Sequence, residues 1–281
     1  MTRDPSRPDP AGGTAPSRLR GLECSSCGAA AAPEAFGSCA ACDAPLLCRY
    51  DLAGLEGFPA APARGARGVF RWSALLPVRE EARMLSLGEG DTPVVELPGL
   101  ARAWGLRELW LKDEGHAPQG SFKARGLAVA VAAHAERGAT AVNAASAASA
   151  YARRHGLACR VALPSAATPT FRQEARLLGA RVIAVSGDIG VAGAWVREHP
   201  GAEGDHVVAT FREPFRLEGK KTLAFEIRER FGEDLPDAIV FPTGGGVGVV
   251  AMAKGFAELR EAGLLRAPTP RMICAQVETC A

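Results

Sequence analysis

From residue 109 onward the chain alternates short apolar runs with alanine-rich stretches, and no other feature restricts its fold so much. The run at 109–111 reads as a buried strand, and 124–137 reads as a helix apolar on most faces. A short run at 140–142 leads into a second alanine-rich stretch, 143–155, also read as helix. Strands follow at 160–163 and 181–185 and helices at 170–178 and 191–198, punctuated by Pro164 and Gly179. A helix at 218–231, a strand at 238–241, a helix running to 261 and a strand at 272–277 complete the pattern. This β-α-β-α rhythm argues for an α/β architecture, with mostly parallel strands covered by helices.

Two loops in that pattern carry chemistry. In the first, Pro118-Gln119-Gly120 delivers Ser121-Phe122-Lys123 onto the start of the 124–137 helix, with Ser121 as the expected N-cap. A lysine in a first helical turn opposes the helix dipole. A solvated surface lysine is the ordinary explanation. An amine tied up by a cofactor aldehyde that brings its own negative charge suits the position better, and loop-to-helix junctions are where functional residues gather. The second loop, Pro242-Thr243-Gly244-Gly245-Gly246-Val247-Gly248, joins a strand to a helix. Glycines there let backbone N–H groups approach a phosphate, and the helix dipole favours the dianion. The loop matches neither GxxxxGK[ST] nor GxGxxG, so nucleotide-binding readings are weak. Alone it is as readily a structural turn. Together, a lysine for an aldehyde and a cradle for a phosphate describe a site for pyridoxal phosphate.

A third motif stands apart. Cys24 and Cys27 form one CxxC pair, and Cys39 and Cys42 form another. Each pair can aim two thiolates at one ion, and two pairs complete a closed tetrahedral site, which predicts structural zinc. Redox pairs or plain buried thiols are the alternatives. Cys48 falls outside the spacing and reads as a small apolar residue of the next strand.

With 281 residues, 47% of them hydrophobic and 23% charged, the chain can bury a sizeable core. A formal charge of +2 without basic clusters predicts no nucleic-acid partner. The absence of a long apolar run predicts no membrane span, and the reduced style of cysteine use predicts a cytoplasmic protein. Residues 1–21, rich in Pro, Gly, Ser and Arg, read as a disordered tail, and the Gly/Pro/Ala-rich segment 51–66 reads as a linker.

Together the motifs resemble the pyridoxal-phosphate enzymes of the tryptophan-synthase-β type (fold type II), and among them the threonine synthases. The likeness rests on Leu87-Gly88-Glu89-Gly90-Asp91-Thr92-Pro93, on Lys112-Asp113-Glu114 with Gly120-Ser121-Phe122-Lys123-Ala124-Arg125-Gly126, and on Thr210-Phe211-Arg212-Glu213-Pro214-Phe215-Arg216. It extends through Glu218-Gly219-Lys220-Lys221-Thr222, the glycine loop and the two cysteine pairs. The resemblance implies two open α/β domains with a cofactor cleft between them, preceded by a zinc-ribbon-like module at 22–50. The large cofactor-binding domain would comprise 67–125 and 206–281, and the small one 126–205. It implies that Lys123 holds the cofactor and shuttles protons, and that Gly244, Gly245, Gly246, Val247 and Gly248 cradle its phosphate. Asn143 would bond the ring's phenolic oxygen, and Thr210 and Arg216 would meet the phosphate of a small phosphorylated amino acid. The implied reaction is a lyase step, O-phosphohomoserine and water giving threonine and phosphate, in a homodimer.

The chain departs from the family pattern in three places. Ala141-Val142 precedes Asn143 where a Ser/Thr-x-Gly turn is usual. Ala117-Pro118-Gln119 stands for Asn-Pro-Thr, and Val247 for threonine. Family members continue past the point matching Ala281, so the C-terminal part of the large domain is expected beyond it. These departures keep two other readings in view. One is a catalytically impaired relative that serves as a binding or structural module. The other is a different enzyme on the same scaffold, such as a cysteate synthase or a serine/threonine dehydratase.

Overall fold

The computed structural model describes residues 17–55, 58, 68–139, 141–144, 147–199 and 204–278. Most of the expected tail and of the expected linker lies outside these residues. The first ordered unit is a small antiparallel sheet. Leu19–Cys24 (β1) pairs with Ala30–Ala31 (β2) on one side and Leu46–Tyr50 (β3) on the other. Side chains alternate across β3, so Leu46, Cys48 and Tyr50 all point inward. Cys48 is therefore a core residue, as expected, and burial pushes its thiol well above the ordinary range.

Short 3₁₀ turns at Gly68–Leu75 seat Val69, Phe70, Trp72 and Leu75 in the core. Val94–Glu96 (β4), Pro98–Ala103 (α1) and Trp110–Lys112 (β5) follow, with β4 and β5 antiparallel. Lys123–Glu136 (α2) leads into the region of strict alternation: Ala141–Ala144 (β6), Ala148–Arg154 (α3), Ala158–Pro164 (β7), Pro169–Leu177 (α4), Arg181–Val185 (β8), Ile189–Glu198 (α5) and Asp205–Val208 (β9). The four strands form one parallel sheet in the order β8-β7-β6-β9. Phe215–Phe231 (α6), Ala238–Pro242 (β10), Val247–Glu261 (α7) and Arg271–Ala275 (β11) complete the chain, and β10 pairs in parallel with β11. The α/β class and the parallel strands are as expected.

One local expectation is corrected, and one strand was not expected. Residues 143–155 do not form one helix: Asn143 lies in β6, paired with Arg160 of β7 and Val207 of β9. The alanine-rich sequence favours helix locally, but ladders to two distant strands override it. Strand β9 carries no strong periodic signal and went unread. No helix among the described residues is long and apolar enough to cross a membrane.

Helix α6 is the axis of the molecule. Phe215 through Ile227 are all buried, although the run includes Arg216, Glu218, Lys220, Lys221, Thr222 and Glu226. Buried charges need partners, and most have them. Lys221 bonds Glu218 at 2.6 Å and Glu258 at 2.8 Å, Lys254 of α7 joins them, and the Lys221 ammonium sits 3.9 Å from the ring centre of Tyr50. This network fastens β3 to α6 and α7. Glu226 is met by Arg125 at 2.7 Å and Lys112 at 2.6 Å. Arg125, fully buried, also grips Glu114 and the hydroxyls of Thr92 and Thr222. Arg216 and Lys220 have no carboxylate within ion-pair distance among the described residues, and both turn to the cavity described next.

Helices α2 and α6 touch at bare backbone. A Cβ on Gly219 would lie 2.0 Å from the carbonyl oxygen of Arg125, and one on Gly126 would lie 2.5 Å from that of Arg216. Only glycine at these two positions permits so close a crossing, and the crossing sets Lys123 against Arg216 and Lys220.

Candidate active site

The glycine loop follows β10 as its sequence suggests. Thr243 donates its backbone N–H to the Ala275 carbonyl at 2.8 Å, which ties the loop to the end of β11. Gly246 occupies the N-cap position of α7 with φ 80, a left-handed conformation that side chains other than glycine resist. Gly244 and Gly245 are exposed, and a Cβ on Gly244 would meet nothing within 4 Å. The loop thus offers uncovered backbone at a helix N-terminus, the arrangement that binds phosphate.

Opposite the loop stands Lys123, the first residue of α2, exposed and 5.5 Å from the Phe122 ring centre. Ser121 does not cap the helix as expected, since Phe122 holds the N-cap position. Its hydroxyl instead accepts the backbone N–H of Lys123 at 3.3 Å. Phe122 and Phe241 pack edge to face at 5.1 Å and form the apolar wall.

The third side comes from the start of α6. Glu213 accepts the backbone N–H groups of Phe215 and Arg216, both at 2.8 Å, placing a carboxylate on the positive end of the helix. Arg216 is 7% exposed; one of its Nη atoms reaches Thr210 Oγ1 at 3.4 Å, and its Nε has no partner among the described residues. Burial pulls its guanidinium below the usual arginine range. Lys220, one turn further, is 4% exposed with its ammonium 5.4 Å from the Phe122 ring centre. Burial first, then the neighbouring Arg216 and Lys123 charges, pulls its amine down to about 7.

These three sides enclose a cavity of about 490 Å³, lined by Lys123, Thr210, Arg216, Lys220 and residues 241–248 and 275–277, with Phe122 as its apolar wall. That size suits a small cofactor with its substrate. Every expected site residue but Asn143 is thereby brought together: Lys123, Gly244, Gly245, Gly246, Val247, Gly248, Thr210 and Arg216. The side chain of Asn143 lies outside the described residues. No described residue of 126–205 lines the cavity. Lys220 was missed as a site residue, although its spacing of four from Arg216 puts the two on one helix face. The loop 86–93 serves as a buttress: Glu89 is buried against the Tyr151 hydroxyl at 3.0 Å, and the backbone N–H of Asp91 reaches Glu226 at 2.9 Å.

The cysteine pairs also converge. The sulfurs of Cys24, Cys27, Cys39 and Cys42 all lie within 4.8 Å of one another, with Cys24–Cys42 at 3.4 Å and Cys27–Cys39 at 3.7 Å. A tetrahedral thiolate site with bonds of about 2.3 Å has edges of about 3.8 Å, so the cluster could hold such an ion. Backbone N–H groups of Cys27 and Ser26 point at the Cys24 sulfur and lower its thiol to about 6.

Comparison with known proteins accords with this geometry. The family described as "Pyridoxal-phosphate dependent enzyme" matches residues 85–281. Threonine synthase from Methanocaldococcus jannaschii is 36% identical over 205 residues, covering 70% of this chain and 50% of that protein. Threonine synthase from Methanosarcina acetivorans is 32% identical over 265 residues, covering 92% and 64%. The chain thus spans about half to two thirds of the length of these relatives. Among solved structures, the L-serine ammonia-lyase of Rhizomucor miehei superposes with a TM-score of 0.56 at 22% identity, covering 66% of this chain and 59% of that one. The apo diaminopropionate ammonia lyase of Escherichia coli gives 0.57 at 18%, covering 69% of both. At such identities these two establish a shared fold only. With the family match spanning well over half of its length, the chain belongs to the pyridoxal-phosphate-dependent enzymes.

Proposed function

We propose that the chain forms the cofactor-binding core of a threonine-synthase-type lyase, acting on O-phosphohomoserine and water to give threonine and phosphate. One observation carries the reading: a single cavity gathers Lys123, the bare glycine loop and a buried arginine with no ion-pair carboxylate among the described residues. The glycine backbone and the α7 N-terminus would hold the cofactor phosphate. Lys123 would hold the cofactor aldehyde and, once released, carry protons between substrate carbons through its Nζ. Pyridoxal phosphate, when bound, supplies the electron sink for carbanions on the substrate. Arg216, with Thr210, would receive the substrate phosphate, a task that suits a guanidinium fork. Phe122 and Phe241 keep water from that side of the site. Asn143 would bond the ring's phenolic oxygen from β6. The relatives' names and their identity of 32–36% to this chain support the choice of reaction.

Zinc at Cys24, Cys27, Cys39 and Cys42 is proposed as structural, since four thiolates leave no open position. A cytoplasmic homodimer, with the cofactor cleft bounded by a small domain at 126–205, completes the reading by resemblance. The test is to load the purified chain with pyridoxal phosphate and supply O-phosphohomoserine. Threonine and phosphate forming in equal amounts supports the lyase. Cofactor binding without release of either product favours the impaired relative, which the Ala141-Val142 substitution before Asn143 would explain.

A further inference from the structure

Lys220 is the one buried charge of the site to which the reaction outlined above gives no work. Its ammonium has no hydrogen-bond acceptor among the described residues. Its neighbours on the same cavity wall are cations: Arg216 on its own helix and Lys123 at the start of α2. Among the described residues Glu213 is the one carboxylate that influences it, and its two oxygens each accept a backbone N–H, from Phe215 and Arg216. From β10, the glycine loop and α7 the cavity receives backbone, Thr243 and apolar side chains, and just after β11 it meets Gln276, whose amide donates to the Gly244 carbonyl at 3.2 Å. The Lys220 stem packs against the bare face of α2, its Cε 3.1 Å from where a Cβ on Gly126 would stand. Two cationic groups one helix turn apart, both nine-tenths buried, repel each other, so Lys220 sheds its proton easily and holds it firmly only when an anion enters between them.

We propose that Lys220 is a catalytic residue, which grips the substrate's phosphate together with Arg216 and gives it a proton as it leaves. This rests on the lyase reading above and deepens it. A dianionic phosphate ester entering the cavity would draw a proton onto the Lys220 amine, giving an ammonium bonded to a phosphate oxygen. When the carbon–oxygen bond breaks, its electron pair goes to that oxygen and the Lys220 proton follows it. Phosphate then departs as the hydrogen-phosphate dianion, and neutral Lys220 recovers its proton from solvent. Arg216 cannot do this, because a guanidinium does not release its proton. The two residues therefore divide the work: arginine orients, lysine titrates. The pair would also select for a phosphate-bearing substrate over a hydroxy amino acid, which leaves both cations without a partner.

The test uses the cofactor-loaded protein, so that the glycine cradle is filled, with inorganic phosphate as probe. Calorimetry in buffers of different ionisation heat should show phosphate binding with uptake approaching one proton at about pH 8, because the Lys220 amine of the free protein sits near 7. Lys220→Gln should abolish the uptake and weaken binding roughly ten- to a hundredfold. Lys220→Arg should keep the affinity, lose the uptake and lower kcat about a hundredfold or more at little change in KM. Both variants should retain the cofactor's visible absorbance and the melting temperature to within a few degrees, which separates loss of the group from loss of the fold. Phosphate affinity and proton uptake unchanged in Lys220→Gln would overturn the inference even if threonine is formed. Lys220-dependent phosphate binding with no turnover of O-phosphohomoserine would leave the anion site standing and sink the substrate assignment.

Discussion

Gly219→Ala tests whether the α2–α6 crossing organises the site. The added methyl carbon would lie 2.0 Å from the carbonyl oxygen and 2.6 Å from the carbonyl carbon of Arg125, and 2.9 Å from the Cα of Gly126. All three are backbone atoms, so no side chain can rotate aside. The helices must part by about 1 Å to reach the shortest tolerable contact. Over-packing of this kind costs about 3 kcal/mol, and the better helix propensity of alanine returns about 1 kcal/mol. A net loss of about 2 kcal/mol predicts a fall in Tm of roughly 4–8 °C for a chain of this size. The same movement carries Arg216 and Lys220 away from Lys123, and displacement of that order lowers turnover on the order of a hundredfold. Thermal melts and phosphate release measure the two effects. Gly99→Ala, also within a helix, is the control, because a methyl there meets nothing within 4 Å; it should leave turnover unchanged and should not lower Tm. A Gly219→Ala protein with the Tm and turnover of the unaltered chain would refute the account of the crossing.

The Arg125–Glu226 network gives a pH-dependent prediction. Arg125 and then Lys112 hold the Glu226 carboxyl at about 2 against the opposing effect of burial. Its folded value lies below its unfolded one, so it contributes stability above about pH 5 that is lost as pH falls toward 2. Glu226→Gln should therefore cost about 3–5 kcal/mol at neutral pH and flatten the acid limb of the stability profile, read by denaturant melts across about pH 3–7. An acid limb as steep as in the unaltered chain would count against this. At the proposed zinc site, Cys24→Ala with Cys27→Ala should remove one bound zinc per chain and destabilise the 19–50 sheet, read by metal analysis and by thermal unfolding; unchanged metal content contradicts the proposed site.

Much of the architecture and most of the candidate site's lining were readable from local signals. The CxxC pairs announce themselves because each turn fixes its own two thiolates. The glycine loop and Lys123 sit at strand–helix junctions that composition alone marks. What escaped was decided at long range. Asn143 lies in a strand because β7 and β9 supply its ladder, whereas its own neighbours are alanines that favour helix. Lys220 and Lys221 are adjacent and chemically identical, yet Lys221 faces Glu218 and Glu258 while Lys220 faces the cavity. Only the rotation of α6 against α2 and α7 tells them apart. The four-residue spacing from Arg216 was a usable hint for Lys220, and its weight depends on knowing that α6 is buried on every side.

Whether Lys123 holds the cofactor aldehyde is decided by borohydride reduction of the loaded protein. Reduction should bleach the visible absorbance and fix one pyridoxyl group per chain, found by peptide mapping on Lys123. A label on Lys220, on another lysine or on none would contradict it.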